Sequence, residues 1–257
     1  MQLFNKMRNW YHRVYGFNTY NRLEWVAKHA ARIADGLRIL DVGAGSGQYR
    51  PLFDHCDYRA HDFGQIPETI GKYTTLDYES DITEIPVPDN SFDVVLCTEV
   101  LEHVTEPIKA VHELARILRP GGWLLLTAPL GSFLHQEPYH FYGGYTPHWY
   151  HKFLGEAGFS IESIEPNQGF FSLFGQEAQR FRRYLRPRAT WHLDLRRWSF
   201  LTLLWMTAGL ISWLLPPICL WLDTLGLETA NYATVGYHVM GIKKNGEDAG
   251  RTSSGKS

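Results

Sequence analysis

One segment constrains this chain more than any other: Leu40-Asp41-Val42-Gly43-Ala44-Gly45-Ser46-Gly47. It begins within an apolar run, Arg38–Val42, that reads as a buried strand. Its three alternate glycines let the backbone turn tightly and approach a ligand closely. Such a loop serves a dinucleotide site, a phosphate site or a plain turn. The spacing is G-x-G-x-G rather than the G-x-G-x-x-G of dinucleotide folds, and Asp41 stands two residues before the first glycine. A carboxylate facing this loop would repel a pyrophosphate and suit the ammonium end of an amino-acid-like ligand.

The surrounding pattern alternates strands with helices. Apolar strands are expected at Tyr58–His61, Tyr73–Leu76, Phe92–Cys97, Trp123–Ala128 and Phe159–Ile164, with a last one at Thr234–Lys243. Amphipathic helices are expected over Tyr20–Ala34, from Pro107 to Leu118 with Pro120-Gly121-Gly122 as the stop, and over His148–Ala157. That rhythm argues for a parallel sheet wrapped by helices. It sets Asp62 at the end of the second strand, about 20 residues past the loop, where an acid can accept both ribose hydroxyls. Asp81 follows the third strand and can take an adenine amino group while Ile82 packs on the ring. An ammonium, a ribose and an adenine together describe S-adenosylmethionine.

Three segments, ILDVGAGSG (39–47), DITEIPVPDNSFDVVLCTEVLEHV (81–104) and ELARILRPGGWLLLTAP (113–129), make the chain resemble the class I S-adenosylmethionine-dependent methyltransferases, type-11 group. The likeness covers roughly residues 20–165 and the last strand. It implies an α/β, Rossmann-like, seven-stranded, mostly parallel sheet whose last strand inserts antiparallel beside the fifth. It also implies that Asp41, Gly43, Gly45, Gly47, Asp62, Asp81 and Ile82 bind the cofactor, with Thr98 and Glu99 facing its methionine part. His61 stands where the family commonly has an apolar residue.

Methyl transfer needs positioning and, for a protonated acceptor, a base. Loops at the carboxyl ends of parallel strands face the ligand crevice, so His140 is the first candidate and His135 the second, with Glu99 and His103 on the neighbouring loop. Structural histidines outnumber catalytic ones, and the same residues can simply be hydrogen-bonded in place. The sequence shows no cluster of His, Cys and Asp at ligand spacing, so no metal is expected.

Hydrophobic residues make up 44% of the 257 and charged residues 20%, with a net charge of −2, which excludes wholesale disorder. Cys56, Cys97 and Cys219 form no disulfide framework and suit a reducing compartment. Lys6, Arg8 and Arg13 interrupt any secretory-type apolar run. Two features stand apart from an ordinary soluble domain. Residues 180–198 interleave Arg180, Arg182, Arg183, Arg186, Arg188, Arg196 and Arg197 with aromatics, and no charge follows from there to Asp223. Arginines among aromatics suit RNA or anionic headgroups; the apolar run beside them favours the membrane over nucleic acid. Pro216-Pro217 is expected to break that run into a helical hairpin dipping into one leaflet. A pocket cap or a dimer face would use the same residues.

The expected organisation is a helical cap (1–36), the cofactor domain (37–175 with 230–244), the insert (176–229) and a disordered tail (245–257). The leading reading is a cytoplasmic enzyme, peripheral on the inner membrane face. It would methylate an amphiphilic small molecule such as a lipid, a lipid-linked sugar or a quinone precursor. The alternatives are a cofactor-binding regulatory protein without turnover and an RNA methyltransferase.

Overall fold

The computed structural model describes residues 2–65, 73–186 and 194–245, with side chains from residue 9. Two helices, α1 (Gln2–Tyr15) and α2 (Phe17–Ala30), lead into β1 (Arg38–Val42), β2 (Asp57–Asp62), β3 (Tyr78–Glu79) and β4 (Phe92–Thr98). Then come α3 (Pro107–Ile117), β5 (Leu118–Pro129), α4 (Pro147–Glu156), β6 (Phe159–Pro166), α5 (Phe170–Leu185), α6 (Leu195–Asp223) and β7 (Gly236–Lys243). The chain divides into two compact units, residues 22–165 with 236–257 and residues 1–21 with 166–235.

The first unit carries a seven-stranded sheet in the order β3-β2-β1-β4-β5-β7-β6. Strands β1 to β5 pair in parallel and β7 runs antiparallel to β5. This is the Rossmann-like arrangement the sequence implied. All seven residues of β4 are buried, as a central parallel strand covered on both faces requires. Its alternate side chains feed two cores. Val94 and Leu96 join Ile39, Leu125 and Met240 with Trp25, Val26 and Ala30 of α2. Val95 and Cys97 join Leu40, Val42, Leu124 and Leu126 with Val111, Leu114, Tyr150 and Leu154 of α3 and α4.

Two local expectations need correction. No strand forms at Tyr73–Leu76; β2 pairs instead through His61↔Tyr78 and Asp62↔Glu79. Thr74 is engaged with the glycine loop, its N–H donating to the Gly45 carbonyl at 2.8 Å. Pro120-Gly121-Gly122 is not a stop beyond the helix but lies inside β5, because α3 already ends at Ile117. A Cβ on Gly122 would stand 3.0 Å from the Asp93 carbonyl oxygen, so glycine permits the close approach of β5 to β4.

In the second unit α5 and α6 form an antiparallel pair. Gly175 lies against Pro216, and Arg182 stacks over Trp205 at 5.1 Å. Asp223 closes the base of the pair: its carboxylate accepts from Gly169 N (3.3 Å), Ser172 N (2.7 Å) and Thr229 Oγ1 (2.6 Å). It caps α5 from outside, where Gly169 has no side chain to do so.

The hairpin expected within residues 200–222 does not form; α6 pairs instead with α5. The expected break at Pro216-Pro217 does not occur, and α6 continues through both prolines. Pro217 has no N–H for the Trp213 carbonyl, and the Tyr15 hydroxyl donates to that carbonyl instead, at 2.6 Å. The same bond explains why α1 belongs with the insert, whereas Trp25, Val26, Ala30 and Ile33 of the expected cap pack with the sheet. Residues 166–175 likewise join the insert rather than the cofactor domain. The expected tail lies, from residue 246 on, outside the described residues.

The packing of α6 is inverted relative to a water-facing helix. Its buried positions are the small Ala208, Ser212, Pro216 and Cys219, while Leu203, Met206, Leu210, Trp213 and Trp221 are each about 60% exposed. A soluble helix hides its large apolar stripe. By length and composition α6 is also apolar enough to cross a membrane.

Candidate active site

The glycine loop follows β1, and its three glycines all have positive φ (73°, 51° and 70° for Gly43, Gly45 and Gly47). They are glycine for different reasons. A Cβ on Gly43 would meet Val100 Cγ2 at 2.3 Å, and one on Gly47 would meet Thr74 Cβ at 2.9 Å. A Cβ on Gly45 would meet nothing within 4 Å. Gly43 and Gly47 serve packing, whereas Gly45 fronts open space.

That space is a cavity of about 310 Å³ lined by Gly43, Gly45, Asp62, Asp81, Ile82 and Glu99, among others. Asp62 ends β2 and turns inward. Its carboxylate accepts from Gly45 N at 2.9 Å and Phe63 N at 2.7 Å, so it fixes the loop as well as facing the cavity. Asp81 accepts from Thr83 N and Thr83 Oγ1, both at 2.8 Å, beside the buried Ile82. Carboxylates at two points and an apolar wall at Ile82 fit a ribose and an adenine.

Asp41 sits differently from its expected place. It is buried off the cavity wall and accepts from the Tyr58 hydroxyl. Burial pushes its carboxyl up to about 7; the Tyr58 bond opposes this, the Asp62 charge adds to it and Arg50 lowers it. Its action on a cationic ligand is through the field rather than by contact.

Glu99 lies on the cavity wall, whereas Thr98 is buried and does not line it. Glu99 accepts from Thr127 Oγ1 at 3.0 Å and pairs with Arg22 at 3.2 Å; Arg22 also donates to the Tyr49 hydroxyl at 3.1 Å. Neither His140 nor His135 lines the cavity, but His103 does, together with Gln136, Tyr139 and Phe141. His140 is held by Ser132 Oγ at 2.9 Å. Burial lowers the pKa of His103; the bond to the Tyr139 carbonyl opposes this, and its neighbours His135 and His140 lower it further.

Glu102 had drawn no attention in the sequence. It is 1% exposed, its Oε2 has no partner, and burial followed by the Glu99 charge raises its pKa. Its position between Leu101 and Val104, both buried, was the available signal. One ligand atom from each of Glu102, His103 and His135 lies within 4.8 Å of the others, a grouping that the sequence spacing does not show.

The family described as "Methyltransferase domain" matches residues 40–126. An uncharacterized methyltransferase of Mycolicibacterium vanbaalenii is 30% identical over 177 residues, covering 62% of this chain and 69% of that protein. The chain belongs to the class I S-adenosylmethionine-dependent methyltransferases. Its cofactor is S-adenosylmethionine. A ubiquinone biosynthesis O-methyltransferase of Erwinia tasmaniensis is 32% identical, over 39% of this chain and 45% of that protein. A demethylmenaquinone methyltransferase of Renibacterium salmoninarum is 40% identical, over 35% and 40% respectively. This methyltransferase thus spans less than half the length of those two relatives. Among solved structures, the 4+2 cyclase SpnF shares the fold, with a TM-score of 0.52, 21% identity and 87% of this chain covered (80% of that one).

For this methyltransferase the raised Asp41 pKa sets a pH dependence. A group whose folded pKa exceeds its unfolded value gives stability that is complete below the unfolded pKa, here 3.8, and is lost as pH rises through about 7. A cationic cofactor pulls Asp41 back toward its ionised form, so binding should release protons near pH 7 and tighten as pH rises from 6 to 8. Calorimetry at pH 7 in phosphate and in Tris should give different apparent enthalpies, and the difference should vanish in Asp41→Asn. Equal enthalpies in the two buffers for the wild type would reject the linkage.

Proposed function

We propose that this methyltransferase methylates an amphiphilic small molecule (a lipid, a lipid-linked sugar or a quinone precursor) at the cytoplasmic face of a membrane. The observation that carries this reading is the outward face of α6, where large apolar side chains replace the polar surface a soluble helix presents. Two relatives named for ubiquinone and demethylmenaquinone support the same acceptor class.

Bound S-adenosylmethionine supplies a methyl group already activated on a sulfonium. The protein's part is to hold an acceptor in line with it, a contribution of about 7–11 kcal/mol at its largest. The cavity suits an apolar acceptor on the side of Val104, Tyr139 and Phe141, with Phe63 edge-on to Tyr139 at 5.7 Å. A hydroxyl acceptor would lose its proton toward the part of the wall that carries His103. The arginines of α5 and of the start of α6 fit anionic headgroups.

Incubating the purified protein with methyl-labelled S-adenosylmethionine and a bacterial total-lipid extract tests this. Label should enter the organic phase in a product that grows with time. Label confined to water-soluble products or to added RNA would overturn the acceptor class.

A further inference from the structure

We propose that Glu102, His103 and His135 form a binding site for a divalent transition-metal ion of zinc type, at the edge of the cofactor cavity. Two imidazoles and a carboxylate are the ligands of a three-coordinate protein site that leaves a position open for an exogenous oxygen. One ligand atom from each residue already lies within 4.8 Å of the others, and Glu102 Oε1 is 3.8 Å from His103 Nε2. A tetrahedral ion with bonds of about 2.0–2.2 Å needs neighbouring ligand atoms about 3.3 Å apart. The exposed His135 side chain can close the difference by tilting about its Nδ1 contact with the Phe133 carbonyl.

The two rings are oriented for ligation. The Nδ1 of His103 faces the Tyr139 carbonyl, and the Nδ1 of His135 faces the Phe133 carbonyl at 2.8 Å. A carbonyl only accepts, so each Nδ1 carries the proton and each Nε2 keeps its lone pair. Backbone carbonyls that hold one nitrogen of a histidine while the other ligates are the usual outer support of a metal-binding imidazole.

Glu102 Oε2 is a buried carboxylate oxygen with no hydrogen-bond partner. A buried polar atom left without a hydrogen-bond partner carries a desolvation penalty. A cation held between Glu102 and the two imidazoles offsets it. Because His103 is itself on the cavity wall, the open position of such an ion is available to an oxygen of a molecule bound there.

The test uses the full-length, untagged protein, stripped with chelator and titrated with cobalt(II), then with zinc(II) in competition. The expected result is a visible ligand-field band at one equivalent, displaced by zinc. His135→Ala and Glu102→Gln should each weaken binding by at least about 100-fold, whereas His148→Ala should leave it unchanged. His135 is exposed, so its removal does not threaten the fold, and glutamine preserves the shape of Glu102. Absence of a band, or a band that survives both substitutions, would overturn the site. Because the readout is metal binding and not methyl transfer, its failure is separate from failure of the acceptor reading.

Discussion

Replacing Gly45 by valine should lower S-adenosylmethionine affinity by at least about 100-fold while the sheet stays folded. The side chain would project into open space, since nothing lies within 4 Å of a Cβ at this position, and that space is the cavity. Strain from a β-branched residue at φ 51° costs about 1–2 kcal/mol, which a domain of this size tolerates. Filling the ligand's place forces an overpacking of about 3 kcal/mol or more at the complex, and 1.4 kcal/mol is tenfold in affinity. Gly43→Ala should behave in the opposite way. Its Cβ would strike Val100 with or without a ligand, so its main effect should be on unfolding, by about 3 kcal/mol. Calorimetric titration beside urea denaturation separates the two. Equal binding by Gly45→Val and wild type would remove the loop from the cofactor site.

The second large effect concerns α6. Exchanging Leu203, Leu210, Trp213 and Trp221 together for serine should reduce partition onto anionic vesicles by about 1,000-fold. Full burial of such side chains is worth about 1.5–3 kcal/mol each, and they stand about 60% exposed. Taking about 1 kcal/mol for each gives about 4 kcal/mol in all, close to three powers of ten. Because these positions face away from the α5 contact, helix content should be unchanged by circular dichroism. Sedimentation with phosphatidylglycerol–phosphatidylethanolamine vesicles measures the partition. If the wild type remains in the supernatant, α6 faces a partner other than lipid, and the membrane part of the proposed function fails.

The parts of this protein legible in its sequence are those set by near neighbours. The glycine loop and Asp62 could be located because they lie at the ends of β1 and β2, strands whose burial leaves a readable pattern; Asp81-Ile82 follows no such strand and was legible through the family resemblance. Strand β3 was misplaced because only two residues pair, too few to leave a periodic signal. The continuity of α6 was hidden for a different reason. Two prolines argue for a break, and the hydroxyl that compensates belongs to Tyr15, far away in the chain. His103 and His135 were expected on neighbouring loops; what no local signal showed is that Glu102, which follows β4, meets His135, which follows β5, in one group. Long-range compensation leaves no local trace.

The place of β7 bears on how the chain is made. It lies between β5 and β6, yet it is synthesised after both and after the whole α5–α6 pair. At about 5–20 residues per second, the edge of β5 waits several seconds for its partner, and β6 has no neighbour in the sheet until β7 arrives. An unpaired strand edge is a site for wrong association. During that interval the α6 face is already complete, so a nascent chain presents its apolar helix before its sheet can close.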